Sequence, residues 1–246
     1  MMVKSSMNKR LENLFSSIDF FNSDNTQRYY EYLEIHPDLA ADEIVWRVNN
    51  NLDKEKYHFD VDISDVDDPY IVVNKYFKSP QDYCPTDLVS VDGALMRKDT
   101  AKAYVIMRDD AKSEGFSIRV TSAYRSIEEQ TNLYNKFLIG SSVEIVDETC
   151  ARPCYSEHHT GLAVDVEGSI PRGRNISKTP EAQWVKDNCF KYGFILRYLP
   201  ETVEITGYSF EPWHLRYVGK QVSMDMKEKN IKTLEEYRER FLKRKK

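Results

Sequence analysis

Cysteine is scarce in this sequence: Cys84, Cys150, Cys154 and Cys189 are the four among 246 residues. That is too few for a disulfide framework, and the step of four from Cys150 to Cys154 is a weak metal or redox signal, so ordinary reduced thiols are expected. Long apolar runs are missing as well. Nothing approaches the roughly 20 apolar residues of a membrane-spanning helix, and mean hydropathy is −0.62. Nine glycines and nine prolines fall short of collagen-like or disordered compositions. An excess of positive charge is lacking too. The chain carries 35 Lys and Arg against 40 Asp and Glu, which argues against a nucleic-acid binder. A leader is not evident: the N-terminal apolar stretch LFSSIDFF is broken by Asp19, and no small-residue cleavage signal follows. The chain as it stands is therefore expected to be cytoplasmic, or extracytoplasmic if a leader lies outside it. No internal repeat or low-complexity tract is present. What is there is 41% hydrophobic residues, enough to build a sizeable core.

Residues 1–23 mix charge and aromatics without a clear period. A helix capped by Asp24 or Asn25 is expected through about Glu34, ended by His36-Pro37 because the residue before proline disfavours the helical region. Asp38 is expected to cap a second helix, LAADEIVWRVNN. Residues 1–68 thus read as a helical N-terminal region and 69–246 as a second domain. In that domain Tyr70–Asn74 reads as a short buried strand, followed by a Pro-containing loop. A helix is expected over Lys98–Glu114, stopped by Gly115. Phe116, Ile118 and Val120 alternate with polar residues, a strand of period two. Ser126 with Glu129 forms a capping-box pattern that opens a helix to about Leu138. Residues 139–157 read as loop. Leu162, Val164 and Val166 mark another strand, Thr179-Pro180 starts a helix that ends near Gly193, and strands follow at Phe194–Arg197 and Trp213–Val218. The last 27 residues read as helical, with a second capping box at Thr233 and Glu236 and a solvated KRKK tail. Helices and strands mix without regular alternation, so the fold class is α+β with a central, mostly antiparallel sheet flanked by helices.

Two stretches carry chemistry. In SEHHTGLAVDV, the apolar face of Leu162, Val164 and Val166 sends Asp165 to the opposite side, beside Ala163. His158 lies seven residues earlier, across Gly161, where a turn brings both side chains together. In EPWHLRYVG, Trp213, Leu215 and Tyr217 form an apolar face, and His214 and Arg216 point the other way. If the two strands pair, two imidazoles and a carboxylate meet: three N/O ligands with a fourth position left for water, a catalytic-type zinc set. Glu211, in the turn before the second strand, is placed to act as general base, although an exposed loop glutamate is the plain alternative. Arg125 closes one strand and opens a helix, suiting it to hold a carboxylate or an oxyanion; a surface salt bridge is its alternative role. His159 adjoins His158, and neighbouring residues generally do not both face one metal. His36 and His58 lie away from any carboxylate pattern and read as structural or exposed.

These motifs resemble the VanY-type zinc D-alanyl-D-alanine carboxypeptidases of the lysostaphin, D-Ala-D-Ala-metallopeptidase and Sonic hedgehog group. The pattern S-x-H-x-x-G-x-A-x-D is matched by Ser156, His158, Gly161, Ala163 and Asp165. E-x-W-H is matched by Glu211, Trp213 and His214, and S-x-Y-R-S with a downstream Gln by Ser122, Tyr124, Arg125, Ser126 and Gln130. The resemblance covers about residues 69–235. It implies one zinc ion per chain bound by His158, Asp165 and His214, Glu211 as base, and Arg125 on the terminal carboxylate or polarised carbonyl. Gln130 and Ser156 are implied to assist Arg125, and Trp213 to pack beside the substrate. The implied substrate is a peptidoglycan stem pentapeptide or precursor ending in D-alanine, cut by a monomer acting as a D,D-carboxypeptidase. An L,D-carboxypeptidase acting on tetrapeptide stems is the alternative within the family, a D,D-dipeptidase being less favoured. From another class, a non-catalytic zinc-containing binding module is the alternative; it is disfavoured because Glu211 and Arg125 are both present.

Overall fold

The computed structural model describes residues 13–57, 68–169 and 178–242. The chain divides into two compact units: residues 13–57 with 233–242 form one, and the described residues between 68 and 232 form the other. Residues 1–12, His58 and the KRKK tail lie outside the described residues.

The smaller unit is built on helices α1 (Thr26–Ile35) and α2 (Ala41–Asn49) and the C-terminal helix Leu234–Tyr237. Phe15, Tyr29, Tyr32, Ile44, Val45 and Val48 form its core. Asp38 does not cap α2, which starts from Ala40 without a side-chain cap. The Leu39 N–H instead donates to the His36 carbonyl at 3.3 Å, so Pro37 and Asp38 are taken up in a turn. The sequence placed everything after residue 69 in one domain. The C-terminal helix differs: the Asn50 side chain donates to the Glu235 carbonyl, and Arg240 pairs with Asp42 at 2.8 Å.

The larger unit opens with a hairpin, β1 (Leu88–Val91) and β2 (Ala94–Arg97), which was not anticipated. Its signal is Asp92-Gly93, both at positive φ, a turn type whose twist matches the flanking strands. Next come α3 (Lys98–Ser113), β3 (Arg119–Ser122), α4 (Ile127–Leu138), α5 (Val143–Asp147), β4 (Ala163–Glu167), α6 (Pro180–Asn188), β5 (Phe194–Leu196), α7 (Val203–Thr206), β6 (His214–Tyr217) and α8 (Lys220–Glu228). The four-stranded sheet has the order β3-β4-β6-β5 and is antiparallel throughout. Val164, Val166, Phe194 and Leu215 on one face pack on Tyr104, Met107, Trp184 and Val185. The capping box at the start of α4 is formed as read, with Ser126 and Glu129 bonding reciprocally. Residues 139–157 are not all loop, since Ser142 caps α5.

Tyr70–Asn74 is not a strand. Ile71, Val72 and Val73 are buried, but the Arg216 guanidinium, not a neighbouring strand, receives the backbone: its Nη2 donates to the Pro69 and Ile71 carbonyls at 3.0 and 2.8 Å. Among the described residues, no helix is long and apolar enough to cross a membrane. All four cysteines are free thiols.

Candidate metal centre

The centre is assembled by strand register and one left-handed glycine. In the β4–β6 ladder, Asp165 stands directly opposite His214. Because side chains alternate along a strand, this pairing puts carboxylate and imidazole on the same face, away from the Val164–Leu215 core. His158 arrives from a 3-10 turn, Glu157–Thr160, that ends on Gly161 at φ 66°. A Cβ at Gly161 would lie 3.0 Å from both Arg97 Cγ and Leu88 Cδ2, side chains that would have to give way, and the positive φ itself favours glycine. It carries His158 Nε2 to 3.4 Å from Asp165 Oδ2, while His214 Nδ1 lies 3.1 Å from Asp165 Oδ1. One donor atom from each of the three residues falls within 4.8 Å of the others. All three side chains are buried.

This donor set fits a zinc ion. Two imidazoles and a carboxylate leave a coordination position open, as catalytic zinc requires. His158 Nδ1 is 2.6 Å from the Ala123 carbonyl, which holds the proton on Nδ1 and turns the Nε2 lone pair towards Asp165. The three groups also act on one another's charges. Burial opposes ionisation of Asp165, but the two imidazoles outweigh it and hold the carboxyl well below its usual range. Burial pushes His158 down. Burial also works against protonation of His214, yet the carboxylates of Asp165 and Glu157 raise it to about 9.

Glu211 lies where the sequence placed it, in the turn before β6: the His214 N–H donates to the Glu211 carbonyl at 3.2 Å, with Pro212 between. Its side chain is buried, and Oε2 is 3.8 Å from His214 Nδ1. Trp213 is in the same turn and lines the cavity, so it does not join the apolar face of Leu215 and Tyr217. Arg125 stands on the cavity wall at the head of α4. Its Nη1 donates to Gln130 Oε1 and its Nη2 to Ser122 Oγ, both at 2.7 Å. Gln130 is buried and in turn donates to the Ala151 carbonyl at 2.6 Å. Ser156 Oγ accepts from the His158 N–H at 3.3 Å, steadying the turn that carries the ligand. These side chains and the three metal-site residues line one cavity of about 1740 Å³.

His159 faces elsewhere. Its Nε2 accepts from the Cys154 N–H at 3.2 Å and its Nδ1 is 2.7 Å from the Arg125 carbonyl, while burial pushes its pKa down to about 4. It ties the Arg125 segment to the His158 turn. His36 packs against Tyr32 with the rings tilted, centroids 4.3 Å apart, in the smaller unit. Sequence reasoning missed Glu157, Arg197 and the partner of Arg216. Glu157 Oε2 is 3.3 Å from His214 Nε2, and Oε1 accepts from Arg197 Nε at 2.7 Å and Arg216 Nη1 at 3.0 Å. Burial opposes a charge on Glu157, but the two guanidiniums hold it far below the carboxylate range.

Comparison with known proteins shows what the chain is similar to. The family model VanY, described as D-alanyl-D-alanine carboxypeptidase, matches residues 93–220. The putative carboxypeptidase YodJ of Bacillus subtilis is 36% identical over 185 residues, 70% of this chain and 67% of its own. The chain spans half or less of the length of two enterococcal D-alanyl-D-alanine carboxypeptidases that it also matches, at 43% and 50%. Among solved structures, the LdcB LD-carboxypeptidase superposes with a TM-score of 0.68 at 35% identity, covering 74% of this chain and 92% of that one. A mutant of the D,D-pentapeptidase VanY from a VanB-type resistance cassette, in complex with Zn(II), superposes at 0.61 with 29% identity, covering 69% and 98%.

Proposed function

Since the chain belongs to the VanY family of D-alanyl-D-alanine carboxypeptidases, zinc-dependent hydrolases of a terminal peptide bond, we propose that His158, Asp165 and His214 hold its zinc. We propose further that it removes the C-terminal D-alanine from peptidoglycan stem pentapeptides or their precursors. The observation that carries this reading is the Asp165–His214 register with His158 folded over it and Glu211 beside it.

Zinc bound there supplies a Lewis acid for the scissile carbonyl and a water whose pKa is lowered towards about 7. Glu211 takes a proton from the attacking water at its carboxylate and returns it to the leaving amine of D-alanine. Arg125 offers a planar fork for the terminal carboxylate or the developing oxyanion. Gln130 and Ser122 set the plane of that fork, so Gln130 acts through Arg125. Ser156 supports the His158 turn, and Trp213 forms a wall of the substrate cavity.

Within the family, the likeness to the LdcB LD-carboxypeptidase favours a second reading, cleavage of the D-alanine from tetrapeptide stems. The experiment is incubation with pentapeptide and tetrapeptide muropeptides, with and without chelator, read by mass spectrometry. Loss of one alanine from the pentapeptide alone supports the D,D reading, and loss from the tetrapeptide alone supports the L,D reading. No chelator-sensitive loss from either sinks both. A monomeric state goes with this proposal, and native mass spectrometry checks it.

A further inference from the structure

We propose that Glu157, backed by Arg197 and Arg216, is a positioning residue that decides which nitrogen of His214 faces the metal. The proposal rests on the reading that His214 is a zinc ligand.

The argument begins with what each group can do. A guanidinium only donates, and an ionised carboxylate only accepts. Arg197 and Arg216 both donate to Glu157 Oε1, at 2.7 and 3.0 Å, which leaves Oε2 aimed at His214 Nε2, 3.3 Å away. The proton of a neutral His214 must therefore sit on Nε2, and the lone pair emerges at Nδ1, the atom 3.1 Å from Asp165 Oδ1. The two imidazoles thus ligate through different nitrogens, each set by the acceptor behind it: the Ala123 carbonyl for His158 and Glu157 for His214.

The arginines have anchors of their own. Arg216 also donates to the carbonyls of Pro69, Ile71 and Tyr217. The Arg197 guanidinium lies over the Tyr198 ring at 5.3 Å, and that ring lies 4.7 Å from the ring of His214. Glu157, Arg197 and Arg216 have 0% side-chain exposure. Two guanidiniums donating to Oε1 fix the plane of the carboxylate and keep Oε2 turned to His214. Because Glu157 adjoins His158 in sequence, the same residue joins the turn carrying one ligand to the strand carrying the other.

The test measures zinc affinity of the full chain by competition with a chromophoric chelator, and the absorption spectrum of the cobalt(II)-loaded form. In Glu157→Gln the amide oxygen stays with the arginines and the NH2 faces His214, driving the proton to Nδ1. Zinc affinity is expected to fall about 10- to 100-fold, with an altered cobalt spectrum. Glu157→Asp keeps the charge opposite the arginines but withdraws it from His214 by one methylene; it decides the matter if the Gln variant does not fold. Affinity within about threefold of wild type in the deciding variant overturns the proposal. His214→Ala separates the two levels: if it binds zinc as tightly as wild type, the metal-site reading itself fails.

Discussion

Three carboxylates stand beside His214; Glu157 lies behind its Nε2, and the surroundings of the two at Nδ1 suit them to different work. Asp165 is enclosed by both imidazoles, which hold it ionised as the proposed ligand role requires, whereas Glu211 reaches in from a turn, 3.8 Å from His214 Nδ1. Glu211→Ala is therefore expected to retain zinc, by metal analysis, while kcat falls about 10²- to 10⁴-fold; His214→Ala should lose the metal as well. Near-normal turnover in Glu211→Ala would remove Glu211 from the role of base. Arg125 allows a finer test. Its two bonded nitrogens show that a planar fork is in use, so Arg125→Lys, which keeps the charge as a point, should lower kcat/KM about 10²-fold or more. A lysine enzyme as fast as wild type would mean that charge alone suffices. Asp165, His214 and Glu211 were legible in the sequence because alternation and a Pro turn determine where they point. Glu157 and Arg197 were not, because an ion cluster buried at the junction of a turn and two strands leaves no periodic trace.

Among elements, those with local signatures were legible and those completed by distant groups were not. The start of α4 needs only Ser126 and Glu129, three residues apart, and it formed as read. Strands β4 and β6 followed from alternation with one buried face. Tyr70–Asn74 has the composition of a strand, but its Ile71 carbonyl is met by a guanidinium 145 positions further along the chain, which no local pattern encodes. The β1–β2 hairpin was encoded, by Asp92-Gly93 between two short alternating runs, and was passed over. The element most exposed to a single change is the turn ending at Gly161. Gly161→Ala forces an L-residue to φ 66° and meets side chains at 3.0 Å. The left-handed conformation alone costs about 1–2 kcal/mol. Urea unfolding of the metal-free protein should show at least that loss, and zinc affinity should drop because His158 rides on this turn. Unchanged values for both would show that the reversal tolerates a side chain.

At the scale of the molecule, the candidate metal centre draws every proposed ligand from the larger unit, on β4, β6 and the turn before β4. The overall excess of acidic over basic residues is no obstacle to an anionic substrate, since recognition is assigned to one arginine and one cation in a single cavity. Gathering Asp165, His158 and His214 away from water is costly unless a cation completes the set, a proton on His214 or a metal ion in its place. The unfolded chain scatters the three over 57 positions and holds no such site, so zinc binding adds directly to folding stability. With free zinc about 100-fold above Kd, the gain is about 2.7 kcal/mol. For a body of this size each kcal/mol moves Tm by roughly 2–4 °C. Stripping zinc with a chelator should therefore lower the melting temperature of the larger unit by about 5–11 °C, and adding zinc back should restore it. In His214→Ala the same chelator should produce no shift. A wild-type melting curve indifferent to chelator, in protein shown by metal analysis to carry zinc beforehand, would mean that the three residues are not the site that holds it.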